Sequence, residues 1–220
     1  VKTGILCSTA GSAFRGIHDC LLAAGSDHEF TIMTDRACGI EDLARSRSIQ
    51  CHRMAGTSRD ELSAEAASVA MASGCDLLLL FFGRIVSSHL HGALPTFNVH
   101  PSLLPAYPGA NALRRCLEDG ATEFGCSVHR VDDVLDGGPV AVRIRQGMPR
   151  NPTLEGLRHA SYLQKVMAGL WFLDAYPGGT RDGAILEAEF GTEIPGAPAP
   201  LADAWKDFLR KDRSGRVDDA

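Results

Sequence analysis

Apolar residues along this chain alternate between short continuous runs and helically spaced stretches, and the alternation predicts strands and helices in turn. Thr3 to Cys7 reads as a first strand, and Gly11 to Ala24 as a helix with Gly25 at its C-terminal stop. Glu29 to Thr34 follows as a second strand, then a helical stretch near Ile40 to Arg47. Arg59 to Ser73 carries Ala, Glu and Ser at helical spacing, with Ser58 placed to cap its start and Gly74 to close it. Asp76 to Phe82, DLLLLFF, is apolar without alternation, as expected of a strand buried on both faces of a parallel sheet.

The pattern continues with a strand at Thr96 to His100, a helix at Asn111 to Asp119, and strands at Cys126 to Val131 and Val140 to Arg145. A long helix is predicted from Thr153 to about Leu173, with Leu154, Leu157, Tyr162, Val166, Leu170 and Leu173 as an imperfect apolar stripe. Beyond Tyr176 the composition turns to Pro, Gly and charge. There a peripheral strand at Ala184 to Phe190 and a loosely attached tail, with a short helix near Ala202 to Leu209, are expected. Strand and helix in alternation predict an α/β fold, a mostly parallel open twisted sheet with helices on both faces. Residues 1–176 are read as the catalytic domain and 177–220 as a peripheral strand and C-terminal tail, with no internal repeat.

Composition narrows the class of function. The 220 residues suffice for one sizeable core, and 45% apolar with 22% charged residues are ordinary globular values. A net charge of −5 argues against nucleic acid or an anionic membrane as the main partner, so a small-molecule substrate is expected. The longest apolar run, Leu77 to Phe82, is far short of the ~20 residues that cross a bilayer, and no charged-then-apolar leader opens the sequence, so a cytoplasmic protein is expected. Seven scattered cysteines without zinc-type spacing suit reduced, mostly buried thiols. His89 and His91 have no third ligand nearby and read as an exposed helix-end pair, so no metal site is expected.

Chemistry concentrates between Phe97 and Pro139. In FNVHPSLLPAYPG, Asn98 and His100 are two apart in a strand, so both side chains leave one face. Pro101 ends the ladder and places the pair at a strand's carboxyl end, where open α/β sheets bind ligands. A carboxamide and an imidazolium aimed at one point stabilise the oxyanion formed when an amine attacks a formyl carbon. In VDDVLDGGP, Asp136 precedes two glycines that let the backbone turn tightly and approach a ligand. Its carboxylate would hold His100 cationic and accept the attacking amine's proton. Singly, each residue also has a plain structural account: a strand-end polar residue, a core histidine bonded to a carbonyl, and an Asx-turn residue.

Taken together, NVHPSLLPAYPG and GCSVHRVDDVLDGGPV resemble the formyltransferase family, most closely its members acting on glycinamide ribonucleotide in purine biosynthesis. The resemblance extends over roughly residues 3 to 173 and includes TDRACGIEDLARSRSI and FFGRIVS. It implies a Rossmann-like fold and formyl transfer from 10-formyltetrahydrofolate to an amine. It also implies Asn98, His100 and Asp136 as the catalytic residues, with His129 as structural support. The folate pterin is expected against the backbone of Arg84, Ile85 and Val86 and the loop of Val131, Asp132, Asp133, Val134 and Leu135.

The acceptor side departs from the family. A Gly-Ser turn entering a helix N-terminus suits a phosphate, and Gly11, Ser12 and Ala13, with Arg158 or Lys165, are the expected acceptor contacts. The family pattern there is Gly-Ser-Asn-Leu, whereas this chain reads Gly11, Ser12, Ala13, Phe14. The family glutamate that meets the acceptor falls on Ser161 in an ungapped match. Three readings stay open: transfer to glycinamide ribonucleotide, transfer to another amine such as an amino sugar or specialised metabolite, and hydrolysis of the formyl donor. Against the last, deformylases resembling the family carry an added N-terminal regulatory domain, whereas this sequence starts at the first strand. A homodimer fits the reading.

Overall fold

The computed structural model describes residues 1–176 and 185–214. Within them the chain runs β1 (Lys2–Cys7), α1 (Ser12–Ala23), β2 (Glu29–Thr34), α2 (Gly39–Ser46), β3 (Gln50–Arg53), α3 (Arg59–Ala72), β4 (Leu77–Phe81) and α4 (Ser88–His91). It continues with β5 (Thr96–His100), α5 (Ala112–Glu118), β6 (Glu123–Arg130), β7 (Val140–Gly147), α6 (Leu154–Ala175), β8 (Leu186–Glu189) and α7 (Ala199–Ser214). The strands form one sheet in the order β3-β2-β1-β4-β5-β6-β7-β8. All neighbours are parallel except β5 with β6 and β6 with β7. This is the mostly parallel open sheet that the alternation predicts.

Strand β4 shows why the sheet carries helices on both faces. Successive side chains of a strand point to opposite sides. Leu77 and Leu79 join a core with Phe14 and Ile17 of α1, Val166 and Leu170 of α6, and Trp205 of α7. Leu78 and Leu80 join a second core with Leu62 and Ala66 of α3 and Leu90 of α4. A fully buried Leu contributes about 1.5–3 kcal/mol, so this strand is held from both directions. The predicted cap of α3 forms as a reciprocal pair: Glu61 N–H donates to Ser58 Oγ at 3.1 Å, and Ser58 N–H to Glu61 Oε2 at 3.0 Å. Five of the seven cysteines are buried, in line with the thiol pattern.

Two features differ from the sequence reading. Strand β3, QCHR, has no apolar run to reveal it; it is an edge strand fixed by main-chain pairing with β2. The C-terminal segment is docked, not loose. Leu201, Trp205 and Leu209 share a core with Ile5 and Leu79, and the Trp205 indole, fully buried, donates to Gly191 O at 3.0 Å. Leu201, Ala204, Trp205, Phe208 and Leu209 recur at amphipathic helical spacing, a signal masked by the Pro- and Gly-rich stretch before it. Strand β8 adds in parallel to β7, with Glu187 paired to Arg143 at 3.2 Å and Arg145 at 2.9 Å. The expected strand start at Ala184 lies outside the described residues. No helix among the described residues is long and apolar enough to cross a membrane.

Candidate active site

The strand order reverses at β1, whose neighbours are β2 on one side and β4 on the other, and open α/β sheets bind ligands beyond the carboxyl ends at such a switch point. Asn98 and His100 project there from the end of β5. One edge of β5 is aligned by β4, with Leu80 opposite Asn98, and the other by antiparallel β6, with His129 opposite Asn98. The β6–β7 ladder shifts register between Val128 and His129, and such an irregularity re-aims side chains beside a site.

Asp136 is the centre of the cluster. Its Oδ2 lies 3.3 Å from His100 Nδ1 and accepts the Gly109 N–H at 2.7 Å. Its Oδ1 lies 3.3 Å from His129 Nε2 and accepts from Asn98 Nδ2 at 3.3 Å. Asn98 Nδ2 also stands 3.2 Å from His129 Nε2, and His129 Nδ1 donates to Arg130 O at 2.9 Å. Burial raises the Asp136 carboxyl, but the His129 hydrogen bond, the Gly109 N–H and the two histidine charges outweigh it and bring it down to about 2.

The glycines after Asp136 serve a different purpose from the one expected. The left-handed backbone falls on Asp136 itself, at φ 50, a conformation short polar residues tolerate better than most. At Gly138 an added Cβ would sit 2.0 Å from the Arg130 carbonyl oxygen, so that glycine is required for contact with the protein's own backbone.

His100 is nearly enclosed, its side chain 6% exposed. Both ring nitrogens face acceptors, Nε2 the Tyr107 carbonyl at 2.9 Å and Nδ1 the Asp136 carboxylate. Only the imidazolium satisfies both contacts. Burial nevertheless pulls the ring below its ordinary value, against the Tyr107 carbonyl and Asp136, which raise it. Asp136 thus acts on the ring in the expected direction, with burial opposing it. The ring is poised to take a proton when negative charge develops beside it.

Asn98 and His100 stand where two cavities meet. The larger, about 840 Å³, contains every residue expected to touch folate: Arg84, Ile85 and Val86 on one wall, and Val131 to Leu135 on the other. Ile85, Val134 and Leu135 are 58%, 65% and 53% exposed, an apolar lining open to solvent. Among the described residues, the main-chain groups of Arg84, Ile85 and Val86 make no internal hydrogen bond, which leaves donors and acceptors for a ligand edge. The Arg84 guanidinium is turned away, donating to Thr57 O at 3.0 Å and Asp35 at 3.4 Å. His89 is exposed as expected. His91 is not: its side chain is 10% exposed, lines this cavity and stands 3.6 Å from Asp133.

The smaller cavity, about 430 Å³, runs from Asn98 and His100 to the start of α1 and holds all four expected acceptor contacts, Gly11, Ser12, Ala13 and Arg158. Gly11 caps α1 with left-handed φ 70 and no side-chain cap bond, and its own N–H reaches Thr9 Oγ1 at 3.3 Å. Tyr162, Ser161 and Lys165 of α6 also line this cavity; only the last two had been weighed from sequence. Tyr162 was missed as a site residue because its place in the apolar stripe reads as core.

The description "Formyl transferase" matches residues 1–160. The phosphoribosylglycinamide formyltransferase of Escherichia coli is 40% identical over 119 residues, 50% of this chain and 54% of that protein. The GDP-perosamine N-formyltransferase of Brucella melitensis is 32% identical over 127 residues, 57% of this chain and 48% of that protein. The chain thus spans about half the length of these curated relatives. Among solved structures, glycinamide ribonucleotide transformylase 1 from Symbiobacterium toebii superposes with a TM-score of 0.71 at 30% identity, covering 76% of this chain and 82% of that one.

Proposed function

This chain belongs to the formyl transferase family, and we propose that it transfers a formyl group from 10-formyltetrahydrofolate to a primary amine, with glycinamide ribonucleotide as the favoured acceptor. The observation that carries this reading is the meeting of Asn98, His100 and Asp136 where the two cavities join. In it, the pterin occupies the larger cavity, its edge paired with main chain at 84–86 and 131–135. The acceptor enters through the smaller one, its phosphate at the start of α1 near Arg158. Helix N-termini favour anions even with few side-chain donors.

The amine nitrogen bonds to the formyl carbon while the formyl oxygen gains negative charge. Asn98 Nδ2 donates to that oxygen, and the His100 ring becomes a second donor by turning one ring nitrogen towards it from its present acceptor, the Tyr107 carbonyl or the Asp136 carboxylate. The amine's proton leaves towards Asp136, directly or through water, and the bond from the formyl carbon to the folate nitrogen then breaks as that nitrogen is protonated. A carboxyl held near 2 is a weak base, so the main role of Asp136 is electrostatic: it stabilises His100 as the ring gains charge.

A second reading, transfer to an amino sugar or another amine, is favoured by Ala13 and Ser161 and by the likeness to a GDP-perosamine enzyme. An acceptor screen separates the readings. Tetrahydrofolate release from 10-formyltetrahydrofolate is followed with glycinamide ribonucleotide, with amino sugars and with no amine. Release that depends on glycinamide ribonucleotide supports the first reading; release that depends only on another amine replaces it. A rate independent of any amine supports hydrolysis and removes both.

A further inference from the structure

Two side chains on one face of α6 line the smaller cavity without a hydrogen bond or ion pair among the described residues. Ser161 is 1% exposed, and its Oγ has no hydrogen-bond partner. Lys165, one helical turn further along α6, is half-buried and makes no hydrogen bond or ion pair among the described residues. Residues four apart on a helix share a face, and both line the cavity that reaches Asn98 and His100. Among the described residues, no Asp or Glu lines that cavity. A buried hydroxyl without an acceptor costs free energy, and burial pulls the Lys165 amino group below its ordinary value; an anionic or carbonyl oxygen of a ligand satisfies the first and favours the charged form of the second. Lys165 and His100 line the same cavity.

We propose that Ser161 and Lys165 form the floor of the acceptor site, donating to a carbonyl or carboxylate oxygen on the carbon next to the one that bears the reacting amine. The proposal rests on the formyl-transfer reading and narrows it to glycyl-type acceptors, α-amino amides or α-amino acids. In the formyl-transfer reading the reacting nitrogen lies at Asn98 and His100, and Ser161 and Lys165 face the same cavity from α6, on a different element from the phosphate contact at α1. The ammonium also repels a protonated amine and so favours the neutral amine that attack requires. The phosphate contact at α1 is a separate locus, so the two ends of glycinamide ribonucleotide would be read independently.

Binding is measured by titration calorimetry on the full chain with three probes. Glycinamide ribonucleotide has the phosphate and the amide oxygen, ribose 5-phosphate only the phosphate, and glycine only the amine and carboxylate. Lys165→Met is expected to weaken the first and third by about tenfold or more, with ribose 5-phosphate unchanged, while Lys165→Arg retains binding. Ser161→Ala removes the other donor and is expected to weaken glycinamide ribonucleotide and glycine by about three- to tenfold, with ribose 5-phosphate unchanged. Circular dichroism checks that each variant is folded. Binding unaffected by Lys165→Met, an equal loss for ribose 5-phosphate, or no binding of either oxygen-bearing amine to the unaltered protein overturns the proposal. Turnover is scored separately: Lys165-dependent binding without formyl transfer removes the enzymatic reading and keeps the subsite, and transfer with Lys165-independent binding does the reverse.

Discussion

Replacing Asp136 with Asn preserves its volume and removes one charge from a side chain that contacts His100, His129, Asn98 and the Gly109 N–H. The carboxyl lies at about 2 instead of 3.8, and at about 1.4 kcal/mol per pKa unit the fold favours the ionised form by about 2 kcal/mol. Because the folded value is depressed, that stabilisation is present above the ordinary value of 3.8 and is lost as pH falls from there towards 2. Urea unfolding should therefore show Asp136→Asn less stable by about 2 kcal/mol near neutral pH, with the gap closing between about pH 4 and 2. In steady-state assays the variant should lose about 10²- to 10⁴-fold in kcat, with a folate KM close to that of the unaltered protein. A stability gap independent of pH would refute the electrostatic account of the cluster. A kcat within about threefold of the unaltered protein would remove Asp136 from the chemistry.

Three further outcomes follow from the same geometry. Asn98→Ala should lower kcat by about 10²- to 10³-fold with little change in folate affinity, and an effect confined to KM would deny Asn98 its oxyanion role. By NMR, His100 should titrate below 6.5 in the free protein and lower still in Asp136→Asn, because Asp136 is one of the groups that raise it. In the folate complex kcat should fall as pH rises through the His100 value, and a rate that rises there would make the ring a base. Trp205→Ala should cost about 3–5 kcal/mol of stability, measured by urea unfolding, since the indole is fully buried and bonded to Gly191; a loss below about 1 kcal/mol would mean the C-terminal helix is not part of the core.

Much of this architecture is legible in the sequence because each core element carries a period set by its surroundings. DLLLLFF reads as a strand because β4 is covered on both faces, and Ser58 with Glu61 marks the start of α3 through local hydrogen bonds alone. Strand β3 is illegible because its pairing is main-chain and its side chains are partly exposed. In the candidate site, spacing along β5 puts Asn98 and His100 on one face, and it is the family resemblance that singles them out together with Asp136. What spacing could not give is the hub geometry of Asp136. His129 reaches it from a neighbouring strand through a register irregularity, and Gly109 comes from a loop 27 residues away. The floor of the smaller cavity depends likewise on how α6 is rotated against the sheet. Ser161 showed itself beforehand through its departure from a family pattern, and Lys165 as a candidate phosphate contact beside Arg158.

The most direct test of the account is a single-turnover reaction with 10-formyltetrahydrofolate carrying a carbon-13 formyl group, with glycinamide ribonucleotide as acceptor and the products followed by NMR. The account predicts that the label moves to the glycyl nitrogen as a formamide, one for each tetrahydrofolate released, and that Asp136→Asn suppresses both together. Label appearing as formate, at a rate indifferent to the acceptor, would contradict it.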